Sequence, residues 1–139
     1  MRVLAKQLGV QASSLYHHFP DRHSLEQALG QEATTALIEQ LDGATNIDAV
    51  AAGYLEFARS NAAFYHLVTA EADRLWIVLL KWGGELAGEE NREPAAVAVW
   101  SYLHGYAKLE ATGSIGSLKS FEPGWVALRD GLAAKKNIL

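Results

Sequence analysis

The chain has 139 residues, half of them hydrophobic, with 12 basic against 16 acidic side chains. That is long enough to bury a core and too apolar for a disordered chain. The absence of cysteine excludes a disulfide framework and a thiolate metal site, and no apolar run approaches the roughly 18 residues of a membrane helix. No signal-peptide pattern follows Met1, so the expected location is cytoplasmic and no membrane partner is expected. The charge is uneven. Residues 1–30 hold three basic and two acidic side chains, and the remainder holds 9 basic and 14 acidic. Contact with phosphate is therefore expected at the N-terminal end, with a weak electrostatic footprint that a second copy of the chain would double.

From Leu4 to Phe19 the pattern predicts two short helices joined by a turn at Gly9. Leu4, Ala5 and Leu8 make one apolar face, and Val10, Leu15 and Phe19 make another. Glycine suits the positive φ of such a turn. Two helices joined in this way form a helix-turn-helix, whose second helix lies in the DNA major groove. Gln11, Ala12, Ser13, Ser14, Tyr16, His17 and His18 are left to face outward. Asp21 is placed to N-cap the next helix, with Pro20 just outside it. Leu25, Ala28, Leu29, Ala33, Ala36, Leu37 and Leu41 recur at helical spacing up to Asp42 and Gly43.

Thr45 or Asn46 opens a further helix running to about Asn61, with Ile47, Val50, Ala51, Tyr54, Phe57 and Ala58 on one face. A short helix around Ala63 to Val68 follows. Leu75 to Leu80 is an unbroken apolar run that suits a buried strand or a buried helix. Helical neighbours and the lack of a partner strand favour a helix within Glu71 to Glu90, weakened at its end by Gly83, Gly84 and Gly88. Gly88 to Glu93 reads as a loop, and Pro94 suits the first turn of a helix. That helix, to Thr112, is apolar around most of its circumference and should be buried on two sides. Gly113 to Ser120 reads as a loop, and Trp125, Leu128 and Leu132 form the stripe of a last helix. The fold class is all-α, with residues 1–42 as a helix-turn-helix region plus connecting helix and residues 43–139 as a helical body.

The run Leu4-Ala5-x-x-Leu8-Gly9-Val10, then Ser14-Leu15-Tyr16-x-His18-Phe19 and Leu25, resembles the DNA-binding headpiece of the TetR family of bacterial repressors. Tyr54-x-x-Phe57-Ala58, Asn61-x-x-Phe64-Tyr65 and Trp100-x-x-x-His104-Gly105 resemble a subgroup with a Trp-His-Gly signature. That subgroup usually has proline where this chain has Ala62, which predicts a softer break there. The family headpiece has three helices, and this chain starts inside the second. The expectation is that a first helix lies upstream of Met1, because Leu4, Leu8, Leu15, Phe19 and Leu25 lack an apolar partner.

The resemblance implies a homodimeric repressor that binds palindromic operator DNA and is released by a small-molecule effector. Carried over residue by residue, Gln11, Ala12 and Ser13 would reach base edges, and Ser14, Tyr16, His17 and Arg22 would hold phosphates. Tyr54, Phe57, Phe64, Trp76, Trp82, Trp100 and His104 would line the effector cavity, with Glu110 available to His104. Their aromatic character hints at an apolar or aromatic effector, although a packed core would use the same residues. Tyr102, Tyr106, Leu109, Trp125, Leu128 and Leu132 would form the dimer interface, and the long helix from residue 22 would be the lever between effector and DNA. An alternative is a dimeric small-molecule-binding module that has lost DNA binding through N-terminal truncation. An enzyme is not expected, since no Ser-His-Asp, P-loop or GxGxxG pattern is present. No cofactor or metal is expected either, because His17, His18, His23, His66 and His104 lack ligand spacing.

Overall fold

A computed structural model of the chain describes residues 1–68, 72–115 and 121–136, without the side chains of Ala63 and Phe64. Glu71, most of the expected 113–120 loop and the Phe64 ring lie outside the described residues. The described residues form eight α-helices and no strand: α1 (Arg2–Leu8), α2 (Ala12–His18), α3 (Arg22–Asp42), α4 (Ile47–Ser60), α5 (Ala62–Tyr65), α6 (Asp73–Ala87), α7 (Arg92–Ala111) and α8 (Phe121–Lys135). The architecture is all-α.

The turn between α1 and α2 is built on Gly9, at φ 67°. Its amide donates to the Lys6 carbonyl at 3.3 Å, and the Val10 amide reaches back to Ala5 at 3.0 Å. This pair of bonds satisfies the last carbonyls of α1 and needs a left-handed residue between them. Ala5 and Leu15 are buried, but they stand apart from the main core. Leu8 and Val10, expected to be apolar contacts, are exposed together with Val3, and Leu8 is 61% exposed.

Asp21 N-caps α3 through a capping box. Its Oδ1 accepts from the Ser24 amide at 2.7 Å, while the Asp21 amide donates to the Ser24 hydroxyl at 3.3 Å. From there α3 runs for 21 residues, about 31 Å at 1.5 Å per residue. Its buried face of Ala33, Thr34, Leu37 and Leu41 carries it from the helix-turn-helix into the body. Asn46, rather than Thr45, caps α4, accepting from the Ala49 amide at 2.8 Å. The break after α4 forms without proline, because the Asn61 side-chain amide donates to the Phe57 carbonyl at 3.1 Å.

The apolar run Leu75–Leu80 is helical, within α6. Leu75 and Leu79 are buried, four residues apart, whereas Ile77 is 69% exposed. α6 and α7 form a close hairpin around Gly88, at φ 85°, and the 3₁₀ turn Glu89–Asn91, where the sequence suggests an open loop. The helix continues through Gly83 and Gly84 despite their poor propensity because α7 requires a small surface there. A Cβ on Gly83 would collide with the Arg92 carbonyl and lie 2.9 Å from the Ala96 amide nitrogen. The main core then gathers side chains from α3 to α8, including Leu37, Val50, Tyr54, Leu75, Val99, Leu103 and Trp125.

α7 is buried on one side by Ala95, Ala96, Val99, Leu103 and Ala107. On other sides it leaves Val97 and Leu109 exposed. No helix among the described residues is long and apolar enough to cross a membrane.

Gly83→Ala is expected to lower stability by about 1–3 kcal/mol, the range for overpacking a tight contact, although alanine is the better helix former. Urea denaturation read by circular dichroism checks this, and a neutral or stabilising result would contradict the close approach.

Candidate functional site

The polar face of α2 comes first. Gln11, Ser13, Ser14, Tyr16 and His17 are exposed and Ala12 is half-buried. Of the residues singled out on and just before this helix, all but Ala12 are thus open to solvent. Arg22 opens α3 beside it, with Nε 2.6 Å from Glu26 Oε1. Both groups are exposed, so the pair is weak and can yield to a stronger anion.

The aromatic residues of the body do not converge on one cavity. Trp100, Tyr54 and His104 do meet. Trp100 Nε1 donates to the Tyr54 hydroxyl at 3.1 Å, and Tyr54 lies 3.4 Å from His104 Nδ1. The fourth member is Tyr65, which the sequence reading left out of the site: its hydroxyl is 3.0 Å from Tyr54 and 2.7 Å from His104 Nδ1. Tyr65 stood in the Asn61-x-x-Phe64-Tyr65 string. Its meeting with Tyr54 crosses the α4–α5 break, which helical spacing cannot reveal.

Trp76 joins this group at the surface, its ring 6.3 Å from that of Trp100. Trp82 and Phe57 go elsewhere. Trp82 borders a small groove with Thr45, Asn46 and Ile47, with Lys81 Nζ 5.0 Å from its ring centroid. Phe57 lines a groove against α3 with Leu29, Ala33 and Ala36. Glu110 forms a two-pronged pair with Arg59, at 2.7 and 2.9 Å, while His104 takes the tyrosines described above as hydrogen-bond partners.

Tyr65 O–H and Trp100 Nε1–H both donate to the Tyr54 oxygen, at 3.0 and 3.1 Å. His104 Nδ1 meets Tyr65 at 2.7 Å and Tyr54 at 3.4 Å, as donor or acceptor according to its tautomer. A charged imidazole carries a proton on Nδ1 and leaves the Tyr54 proton without that acceptor inside the core. The electrostatics agree. Burial, with Lys108 adding to it, holds the His104 pKa below its ordinary value of 6.5. Burial also raises both phenols, with Tyr54 adding to the effect at Tyr65, so they remain donors near neutral pH.

Outside this group lies an open groove of about 510 Å³ between α6 and α7, lined by Ala72, Asp73, Trp76, Val97, Trp100 and Ser101. A larger groove of about 630 Å³ between α4 and α8 is more polar, with Asp48, Glu56, Arg59 and Glu122 on its walls. Two of its charges are already committed: Asp48 to Arg129 at 2.9 Å and Arg59 to Glu110. Burial raises the Asp48 carboxyl, but hydrogen bonds from the Trp125 indole and Arg129 outweigh that and leave it below the usual carboxylate value. The α6–α7 groove is mainly apolar with few polar groups, the composition common to small-molecule pockets.

Of the residues expected at a subunit interface, Leu109 is exposed, and Tyr102, Tyr106, Leu128 and Leu132 are half-buried. Trp125 is only 2% exposed. Its indole donates to Asp48 at 2.6 Å and its ring stacks on Phe121, so it braces α8 from within its own chain and has no face to offer a second one.

The chain is thus an all-helical protein with a helix-turn-helix at one end and a helical body carrying an aromatic groove. The family model for the tetracyclin repressor-like C-terminal domain matches residues 47–128, and the chain belongs to that family. No curated protein and no solved structure matches it.

The lowered His104 pKa has a measurable consequence. The unfolded His104 takes up a proton near pH 6.5, before the native one does. Its contribution to stability is therefore complete above that pH and declines as pH falls below it. Urea midpoints at pH 7.5 and 5.5 should show this loss in the natural chain and a smaller loss in His104→Gln. Tyr65→Phe, which strands Tyr54 and His104, should lower stability at pH 7.5 by about 1–3 kcal/mol.

Proposed function

We propose that the protein is a ligand-responsive transcriptional repressor that acts in the cytoplasm. It is a homodimer that binds palindromic operator DNA through two copies of α2 and is released when a small molecule occupies the Trp76–Trp100 groove. In this reading Gln11, Ala12 and Ser13 meet base edges, and Ser14, Tyr16, His17 and Arg22 hold phosphates. Gln suits adenine, and Ala suits a thymine methyl. Residues 1–42 serve DNA, and residues 43–139 serve ligand and dimer. Tyr102, Tyr106, Leu109, Leu128 and Leu132 face the second subunit, with Trp125 behind them. Trp100, His104 and Gly105 support placement in the Trp-His-Gly subgroup.

One observation carries the reading: groove and helix-turn-helix are attached to the same helix. Arg74, the neighbour of Asp73 in the groove, donates to Thr35 of α3 at 2.8 Å. One residue away, the buried Thr34 hydroxyl donates to the Val68 carbonyl at 3.3 Å. A ligand that shifts the start of α6 therefore acts on α3, and so on the separation of two α2 helices. That separation must match half-sites about 34 Å apart.

The exposed Val3, Leu8 and Val10 favour a second reading, a dimeric ligand-binding module without DNA binding, because they leave the helix-turn-helix with an uncovered apolar face.

Fluorescence anisotropy with DNA from the neighbouring intergenic region tests the choice, using residues 1–139 and a chain extended upstream in frame. Specific, salt-sensitive binding by either chain is the expected result. Folded dimers of both chains that never bind would overturn the repressor and leave the second reading. In a binding chain, Gln11→Ala should cost about 1–3 kcal/mol at one base pair of each half-site. Tyr16→Phe should weaken binding alike across sequences.

A further inference from the structure

We infer that the α6–α7 groove selects an organic cation with an apolar or aromatic body. The inference rests on the effector reading of that groove and adds the charge of its ligand. Three features of the wall point to a cation. First, Asp73 is the only charged residue among the described residues lining the groove. It sits in the first turn of α6, whose end carries roughly half a positive elementary charge. A full carboxylate charge outweighs that half charge and leaves the rim net negative.

Second, the other large groups are two indoles, with centroids 6.3 Å apart and planes inclined at 42°. Their faces are the negative part of the aromatic quadrupole and attract a cation set against them. Third, side-chain donors for an anion are scarce among the described residues. The Trp100 N–H is turned inward onto Tyr54 at 3.1 Å. Ser101 supplies the one side-chain hydroxyl among the described lining residues.

None of the nearby basic side chains is among the described residues lining the groove. Arg74 directs its guanidinium to Thr35 on α3, and Lys81 lies over Trp82. Lys108 follows Ser101 along α7 by two helical turns, about 10 Å at 1.5 Å per residue. An anionic ligand would meet a carboxylate and two electron-rich faces. A neutral apolar ligand would strip water from Asp73 without replacing it. A cation repays that desolvation and also gains the two ring contacts.

Tetraphenylphosphonium and tetraphenylborate have the same shape and opposite charge, so the pair isolates the sign of the site. Calorimetric titration of the full chain should give tighter binding of the phosphonium by about tenfold or more at low salt. Asp73→Asn keeps the shape, removes the charge, and should shrink that preference severalfold. Trp76→Leu should weaken the phosphonium while leaving the circular dichroism spectrum unchanged. Borate binding as tight as the phosphonium, no binding of either ion, or an unchanged ratio in Asp73→Asn would overturn the inference.

Operator anisotropy with the same ions separates this test from the effector reading. A phosphonium preference that follows Asp73 without any effect on DNA binding removes the effector role and keeps the cation site. DNA release by the borate alone overturns the cation site and keeps the effector role.

Discussion

A phenol oxygen sealed inside a helical core must find hydrogen-bond partners there, and this requirement at Tyr54 sets the arrangement of the body. Tyr54 is fully buried, and its hydroxyl ties α4 to α5 through Tyr65 and to α7 through Trp100. Tyr65 then reaches His104, one turn beyond Trp100 on the same helix. These hydrogen bonds converge on Tyr54 and His104, so three helices are held in one register by groups that cannot be rearranged singly. Apolar contacts alone would allow α5 to slide on α7 at small cost, whereas directional hydrogen bonds do not.

The same hydrogen bonds shape the surface outside them. Because the Trp100 nitrogen is occupied inward, its ring lines the α6–α7 groove without a free N–H to offer. Trp76 stands against it from α6, and Asp73 supplies the rim charge. The tight hairpin at Gly83, where the α7 backbone touches α6, keeps the far end closed and leaves the opening near the start of α6. That start of α6 is bonded through Arg74 to α3, the 21-residue helix that follows the helix-turn-helix.

At the other end, the helix-turn-helix depends on local bonds. The left-handed Gly9 closes α1, Asp21 and Ser24 cap α3, and the only buried apolar side chains contributed by α1 and α2 are Ala5 and Leu15. A region held by turn chemistry more than by core can follow the position of α3 without resisting it.

Most of the secondary structure could be read from residues alone, because its causes are local. Glycine at a positive-φ turn, Asp and Asn at helix starts, and apolar residues three and four apart act within a few positions of the chain. For the same reason the outward face of α2 was legible down to Gln11, Ser13 and Tyr16. The helix from Asp73 to Ala87 was legible in type but not in its use: sequence could not tell that Gly83 is a contact surface rather than a weakness, since the reason is the backbone of Arg92. Nor could it sort the aromatics. Tyr54, Trp100 and His104 meet while Phe57 and Trp82 line other grooves, Tyr65 enters from a separate helix, and Trp125 is enclosed by its own Asp48. An aromatic stripe is the same pattern whether it faces a ligand, a second subunit or the core. Which of these it faces depends on how the helices cross, and that was decided by contacts between residues far apart in the chain.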